Sequence, residues 1–381
     1  MRDPAGFSGC TANLGLKDGA DDFAVVVSDG PCVSAAMFTQ SLFAGPSVTI
    51  SREAAASRAL RGIMVISKNA NVATGAAGRA NAEEVRARVA ARAGIAPEEL
   101  LITSTGVIGR PYPMDTIREH LALTPQPLPV ADLDDAARAM MTTDTMPKVA
   151  RRSVGPATVV GIAKGVGMIE PNMATMLSFF FTDAAVAADD LDAVFRRVVE
   201  RTFNSLSIDT DTSTSDTVVI LANGRAGAVD LADFEEQLYQ AALELVRKIA
   251  TDGEGATKRI EVQVTGASSD RQARRVAKTI VNSPLVKTAV HGADPNWGRV
   301  VMAIGKLDDE DIDPDRVQVR FGDLPMYPGD PGEEELAVAR KYLEGSLAEI
   351  NVELGNGDAA WRVYGCDLTE GYVHINADYT T

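Results

Sequence analysis

Between Lys164 and Phe181 the chain runs from a stretch broken by glycine and proline, KGVGMIEPNMAT, straight into an apolar run, MLSFFF. Successive residues of a strand point to opposite faces, so Met176 to Phe181 reads as a strand buried on both sides. The rest of the sequence supplies mixed elements around it. Helical spacing predicts helices from Glu83 to Ala93, ended by Gly94, from Ala131 to Met141, and from Asp189 to Phe203. Further helices fit the span marked by Phe234, Leu238, Leu245 and Ile249, and Glu333 to Leu343 after the YPGDPG loop. Short strands fit Leu100 to Ile102, Ala157 to Ala163, and the alternating sets Ile260/Val262/Val264 and Val317/Val319/Phe321. Strands and helices in this irregular order predict a layered α/β (α+β) fold rather than a doubly wound sheet. A length of 381 residues fits two domains or one large one, and no Gly/Ser linker marks a border.

Charge narrows the partners. Thirty-seven Lys and Arg against 53 Asp and Glu give a net charge of −16, which argues against nucleic acid as a ligand. No run approaches the roughly 18 apolar residues of a membrane span, and the MRDPAGFSGC start has no apolar core of a secretory signal. Cys10, Cys32 and Cys366 are odd in number and lack CxxC spacing. They read as reduced thiols of a cytoplasmic protein, with neither a disulfide framework nor a metal site.

Several familiar motifs fail on inspection. Gly165-Val166-Gly167 suggests a dinucleotide loop, but the third glycine position is Glu170, whose carboxylate would repel a pyrophosphate. The run DTDTSTSD, Asp209 to Asp216, lacks the Gly and Glu of a calcium loop and reads as a hydrogen-bonded polar turn. No GxSxG elbow accompanies the three histidines. His120 reads as a surface residue of a helix, His374 as a structural residue of a terminal strand, and His291, in HGADPNWGR, as the one held in reserve.

The chemistry sits at the turn itself. A threonine hydroxyl after a strained turn can attack the preceding carbonyl, here that of Ala174, in an N→O acyl shift that ends in peptide hydrolysis. The freed Thr175 would then carry an α-amine of pKa about 7.7–8.0 beside its own hydroxyl. Nucleophile and general base would come from one residue, with no histidine needed. On pattern alone, an ordinary Gly/Pro turn before a strand remains the simpler reading.

The segment KGVGMIEPNMATML resembles the self-cleaving signature of the ornithine acetyltransferase (glutamate N-acetyltransferase) family, commonly KGSGMIxPNMATML. Further matches follow in order: TSTGVIG from Thr103, MTTDT from Met141, SIDTDTSTSD from Ser207, DGEGATK from Asp252, NSPLVKTAVHGADPN from Asn282, GCDLTE from Gly365, and NADY from Asn376. Together they span nearly the whole chain, and they are similar in particular to the type found in clavulanic-acid gene clusters. Val166 stands where the family usually has Ser, which removes a hydrogen-bond donor and leaves open whether the chain serves arginine biosynthesis or a specialised pathway.

The resemblance implies a layered sandwich of the N-terminal-nucleophile type with a second, smaller α/β domain. It also implies cleavage into 1–174 and 175–381, with the fragments staying associated as a heterotetramer. Thr175 would be the nucleophile, and Thr105 with Gly106 the oxyanion donors. Thr142, Lys164, Glu254, Asn376 and Thr381 would bind substrate, Lys164 at its carboxylate and Glu254 at its cation. Acetyl would pass from N2-acetyl-L-ornithine to L-glutamate, with no cofactor and no metal. Two alternatives are a self-cleaved amidase or aminopeptidase and an uncleaved binding paralogue.

Overall fold

The computed structural model describes residues 2–16, 19–170, 176–308 and 310–377. Three mixed sheets form its frame. The first orders Phe7–Ala12, Phe23–Ser28, Gly62–Ile66 and Leu100–Ser104, with only the last pair parallel. The second orders Val33–Phe38, Thr217–Ala228, Leu177–Ala185, Ala157–Lys164 and Lys148–Val154, with only the Leu177–Ala185 and Thr217–Ala228 pair parallel.

These two sheets pack face to face. Val26, Ile63 and Val65 of the first meet Ile162, Phe179 and Leu221 of the second in one apolar layer. The outer face of the first sheet is covered by Gly75–Ala93 and Met114–Leu121, and that of the second by Ala188–Arg201 and Leu231–Thr251. The result is a four-layer α/β/β/α sandwich, which is the mixed, layered class read from the sequence.

The apolar run explains its own burial. Phe179 and Phe181 enter the layer between the sheets, while Phe180 points the other way, into the helical layer. There Phe180 meets Phe195 and Phe203 edge-on, each with ring centroids 6.0 Å away, and Phe181 meets Phe7 at 5.4 Å. On the neighbouring strand Gly161 pairs with Phe180, and a Cβ there would fall 2.5 Å from the Phe180 ring. Gly161→Ala is therefore expected to destabilise by about 1–3 kcal/mol through overpacking, read by denaturant unfolding.

The third sheet orders Leu324–Tyr327, Gln318–Phe321, Leu347–Glu353, Arg259–Ala267 and Ala359–Cys366. It packs on the helices Asp270–Val281, Pro284–His291, Trp297–Ile304 and Glu333–Leu343. Its Ala359–Cys366 strand belongs to both bodies. Val363 lies in this core, while Tyr364 and Cys366 enter the core of the sandwich. The Tyr364 carbonyl also accepts the Ser207 N–H at 2.8 Å.

Most sequence-derived elements fall where they are expected, with two exceptions. The helix expected from Glu83 starts at Gly75, its first turns accommodating Gly75 and Gly78, two residues of low helix propensity. His374 lies not in a terminal strand but in the helix Glu370–Ala377. The Thr369 hydroxyl accepts the Gly371 N–H at 2.9 Å and nucleates that helix, which a short alternating pattern does not reveal. Cys10, Cys32 and Cys366 are free thiols. Among the described residues no helix is long and apolar enough to cross a membrane.

Candidate active site

A cavity of about 360 Å³ opens where the two sandwiched sheets end. Thr105, Gly106, Thr142, Lys164, Glu254 and Asn376, all singled out in the sequence, line it together. Ala174, Thr175 and Thr381 lie outside the described residues. Met176, bonded to Thr175, is part of the cavity wall.

Thr105 and Gly106 follow directly on the strand Leu100–Ser104. The Thr105 N–H donates to the Ile66 carbonyl at 3.0 Å and that of Val107 to the Lys68 carbonyl at 3.2 Å. Between them Gly106 has φ +125°, and a side chain there would collide with the Lys68 backbone. Only glycine fits this approach, and Thr105 and Gly106 both line the cavity. Lys164, the last residue of Ala157–Lys164, donates from Nζ to the Thr105 Oγ1 at 3.1 Å. Burial lowers the pKa of this ammonium, against the opposing pull of Asp144, Asp216 and Glu254.

A buried ion cluster holds the loop that carries Thr142. Lys148 Nζ bonds Asp144 at 2.7 Å and Asp252 at 2.6 Å, and the Lys148 and Asp144 side chains are fully buried. Asp144 also accepts the Gly165 N–H at 2.7 Å and the Thr142 N–H at 3.1 Å. Burial alone would raise the Asp144 pKa. The charges of Lys164 and Lys148, with the Lys148 and Gly165 hydrogen bonds, outweigh it and hold the carboxyl below its usual range. The Thr142 carbonyl in turn accepts from Lys68 Nζ at 2.6 Å.

Glu254 joins three remote segments. Its N–H donates to the Val166 carbonyl at 2.8 Å, and its carboxylate accepts from the Thr143 hydroxyl at 3.0 Å and from Asn376 Nδ2 at 2.9 Å. Gly167 lies flat against that carboxylate, where any side chain would displace it. The described stem of the KGVGMIEPN turn is equally well held. Asp209 accepts the Met168 and Ile169 N–H groups at 2.6 and 2.7 Å. Glu170, the residue that excludes a dinucleotide, is paired with Lys278 at 2.6 Å and accepts from Asn282 at 3.2 Å. The DTDTSTSD run is thus the hydrogen-bonded turn expected of it.

Sequence reasoning passed over two residues of this cavity. Thr143 was hidden beside Thr142, and it is Thr143 whose hydroxyl bonds Glu254. Asp216 closes the polar run and lines the cavity while buried. His291 is elsewhere, its Nδ1 3.1 Å from Asp367.

Comparisons with known proteins agree on one family. The model described as "ArgJ family" matches residues 8–381. Glutamate N-acetyltransferase Oat2 of Streptomyces clavuligerus is 59% identical over 385 residues, covering 99% of this chain and 98% of that protein. The arginine biosynthesis bifunctional protein ArgJ of Rhodococcoides fascians is 58% identical, covering 99% of this chain and 94% of its own length. A crystal structure of the bifunctional protein argJ from Bacillus halodurans aligns with 52% of this chain and 96% of that one, at 40% identity and a TM-score of 0.49.

Proposed function

The chain belongs to the ArgJ family, and from that premise we propose that it cleaves itself between Ala174 and Thr175. It then carries acetyl from N2-acetyl-L-ornithine to L-glutamate on the Thr175 hydroxyl. The observation that carries this reading is the Lys164–Thr105 hydrogen bond, in a cavity whose wall includes Met176. Lys164, the Thr105–Gly106 turn and the residue bonded to Thr175 share one small space.

The cycle is ping-pong. The neutral Thr175 amine takes the hydroxyl proton as Oγ attacks the acetyl carbonyl, and Thr105 Oγ1 and the Gly106 N–H hold the oxyanion. Ornithine leaves, and an acetyl ester remains on Thr175. The glutamate amine then attacks that ester and releases N-acetyl-L-glutamate. Lys164 faces the substrate carboxylate, Glu254 with Asn376 meets the cationic end, and Thr142 and Thr381 complete the pocket. An enzyme of amino-acid biosynthesis without cofactor or metal fits this residue set, and the cytoplasm is its natural compartment.

The two fragments, 1–174 and 175–381, would stay associated because they share a sheet. Leu177–Ala185 pairs with Ala157–Lys164 from the other side of the cut, and Thr217–Ala228 pairs with Val33–Phe38. The cleaved pair then doubles into a heterotetramer.

Intact-mass spectrometry of the purified protein tests the proposal. Two species ending at Ala174 and starting at Thr175 are expected, with an acetyl adduct on the second after N-acetylornithine is added. Acetate released without glutamate would instead mark an amidase, and an intact chain that binds ligand without turnover a binding paralogue. Thr105→Ala removes one oxyanion donor and should cut kcat by about 10²–10³ while leaving the fold intact. An unchanged kcat would take Thr105 out of the oxyanion site.

A further inference from the structure

Asp216 is only 2% exposed, yet its Oδ2 has no hydrogen-bond partner among the described residues. It lines the cavity that holds Thr105, Lys164 and Glu254. Its backbone is fixed on both sides. Its carbonyl accepts from Thr39 at 2.9 Å, and the N–H of the next residue, Thr217, donates to the Met176 carbonyl at 3.0 Å. A buried polar atom without a partner is uncommon in a folded protein and calls for a reason. Here the unpartnered oxygen belongs to a residue that lines the same cavity as Thr105 and Lys164.

Proton counting supplies the reason. In the first half-reaction the leaving amide nitrogen carries one hydrogen and departs as an ammonium with three, so it must gain two protons. One is the Thr175 hydroxyl proton, passed through the Thr175 amine. In the second half, the glutamate ammonium keeps one hydrogen in the new amide and returns one to Thr175 Oγ, so one more must be removed. A second proton is therefore supplied and then recovered in every cycle, and the amine of Thr175 accounts for only one.

We propose that Asp216 is the store of this second proton. As a carboxylic acid it protonates the departing ornithine nitrogen while the C–N bond breaks. As a carboxylate it accepts a proton from the incoming glutamate ammonium before the new C–N bond forms and the ester C–O bond breaks. No other reactant is required. Its surroundings suit the role. Burial pushes the Asp216 carboxyl well above the usual carboxylate range, opposed by a hydrogen bond from Ser213 and by the charge of Lys164. Besides Asp216, the charged groups acting on Lys164 are Asp144, Lys148 and Glu254. A carboxyl that burial biases towards its neutral form is suited to give a proton to an amine.

The inference rests on the acetyl-transfer reading above, and the test separates the two. Wild type and Asp216→Asn are compared with two donor–acceptor pairs after intact-mass analysis. The first pair is N-acetylornithine and glutamate. The second is p-nitrophenyl acetate, whose leaving group departs without a proton, with hydroxylamine, which is a neutral amine at neutral pH. Asp216→Asn should lose about 100-fold or more on the first pair, the scale of general acid–base catalysis, and less than about 3-fold on the second. Equal losses on both pairs, or none on either, overturn the role of Asp216. If wild type forms no acetyl-enzyme from either donor, the acetyl-transfer reading falls and this one with it. Should the variant fail to self-cleave, a proton inventory on wild type decides. A curved dependence on deuterium fraction for N-acetylornithine, against a linear one for p-nitrophenyl acetate, supports two moving protons, and linear plots for both overturn them.

Discussion

Thr175→Ala should yield one uncut polypeptide of about 40.3 kDa with no acetyl adduct and no transfer activity. The substitution removes both halves of the device at once. Without the hydroxyl there is no N→O shift, so the α-amine that would serve as base is never released. Other hydroxyls of the cavity do not replace it. Ser213 and Ser215 line the same space, but each is flanked by peptide bonds and carries no free amine. Thr175→Ser keeps a hydroxyl and should still process. The measurement is intact mass before and after addition of N-acetylornithine, and a Thr175→Ala protein that is cut and active would overturn the mechanism.

Lys148→Met should be the most destabilising single change outside the cut site. Lys148 is the cation between Asp144 and Asp252, with side-chain exposures of 0%, 0% and 5% for the three. Removing one partner of a buried ion pair typically costs about 3–5 kcal/mol, because the remaining charge has neither water nor a counter-ion. The pH dependence carries a definite sign. In the wild type, Asp144 is held below its ordinary range, so its contribution is present above the unfolded carboxylate pKa of about 3.9 and is lost as pH falls through the folded value. In the variant the same carboxyl rises from that position, because burial is then opposed by Lys164 and the Gly165 hydrogen bond but no longer by Lys148, so less of its contribution remains at neutral pH. The stability gap between the two proteins should therefore narrow on acidification. Urea unfolding in the Thr175→Ala background, where the chain stays in one piece, reads this directly. A gap that is constant or widens towards acid would remove Asp144 as its source.

The frame was legible where sequence and burial carry the same information. Phe179, Phe180 and Phe181 are consecutive aromatics, and a strand can hide them only between two layers, which is what the sandwich provides. His374 shows the opposite case, since a short alternating stretch fits a strand and a helical turn alike, and the Thr369 hydroxyl bonds the Gly371 N–H at the start of the helix. In the site, motif order pointed to the residues that converge but not to their partners. Lys148 and Asp144, four apart, look like an exposed pair, and only Asp252, 104 residues further on, turns them into a buried cluster. Asp216 is chemically indistinguishable from Asp209 and Asp211 in one polar run. Burial separates them, and burial there comes from strands that the run itself does not contain.

The order of strands in the second sheet has a consequence for the life history of the molecule. Its second and third members lie beyond residue 175, and its first, fourth and fifth lie before residue 174. Neither half can complete that sheet alone, so only a continuous backbone brings its strands together within one molecule. Once nicked, a denatured sample must find its way back through an encounter of two strangers, at a rate that depends on dilution. Under the proposed self-processing the cut would work as a ratchet, in which the tethered chain folds readily and its severed descendant returns only by collision.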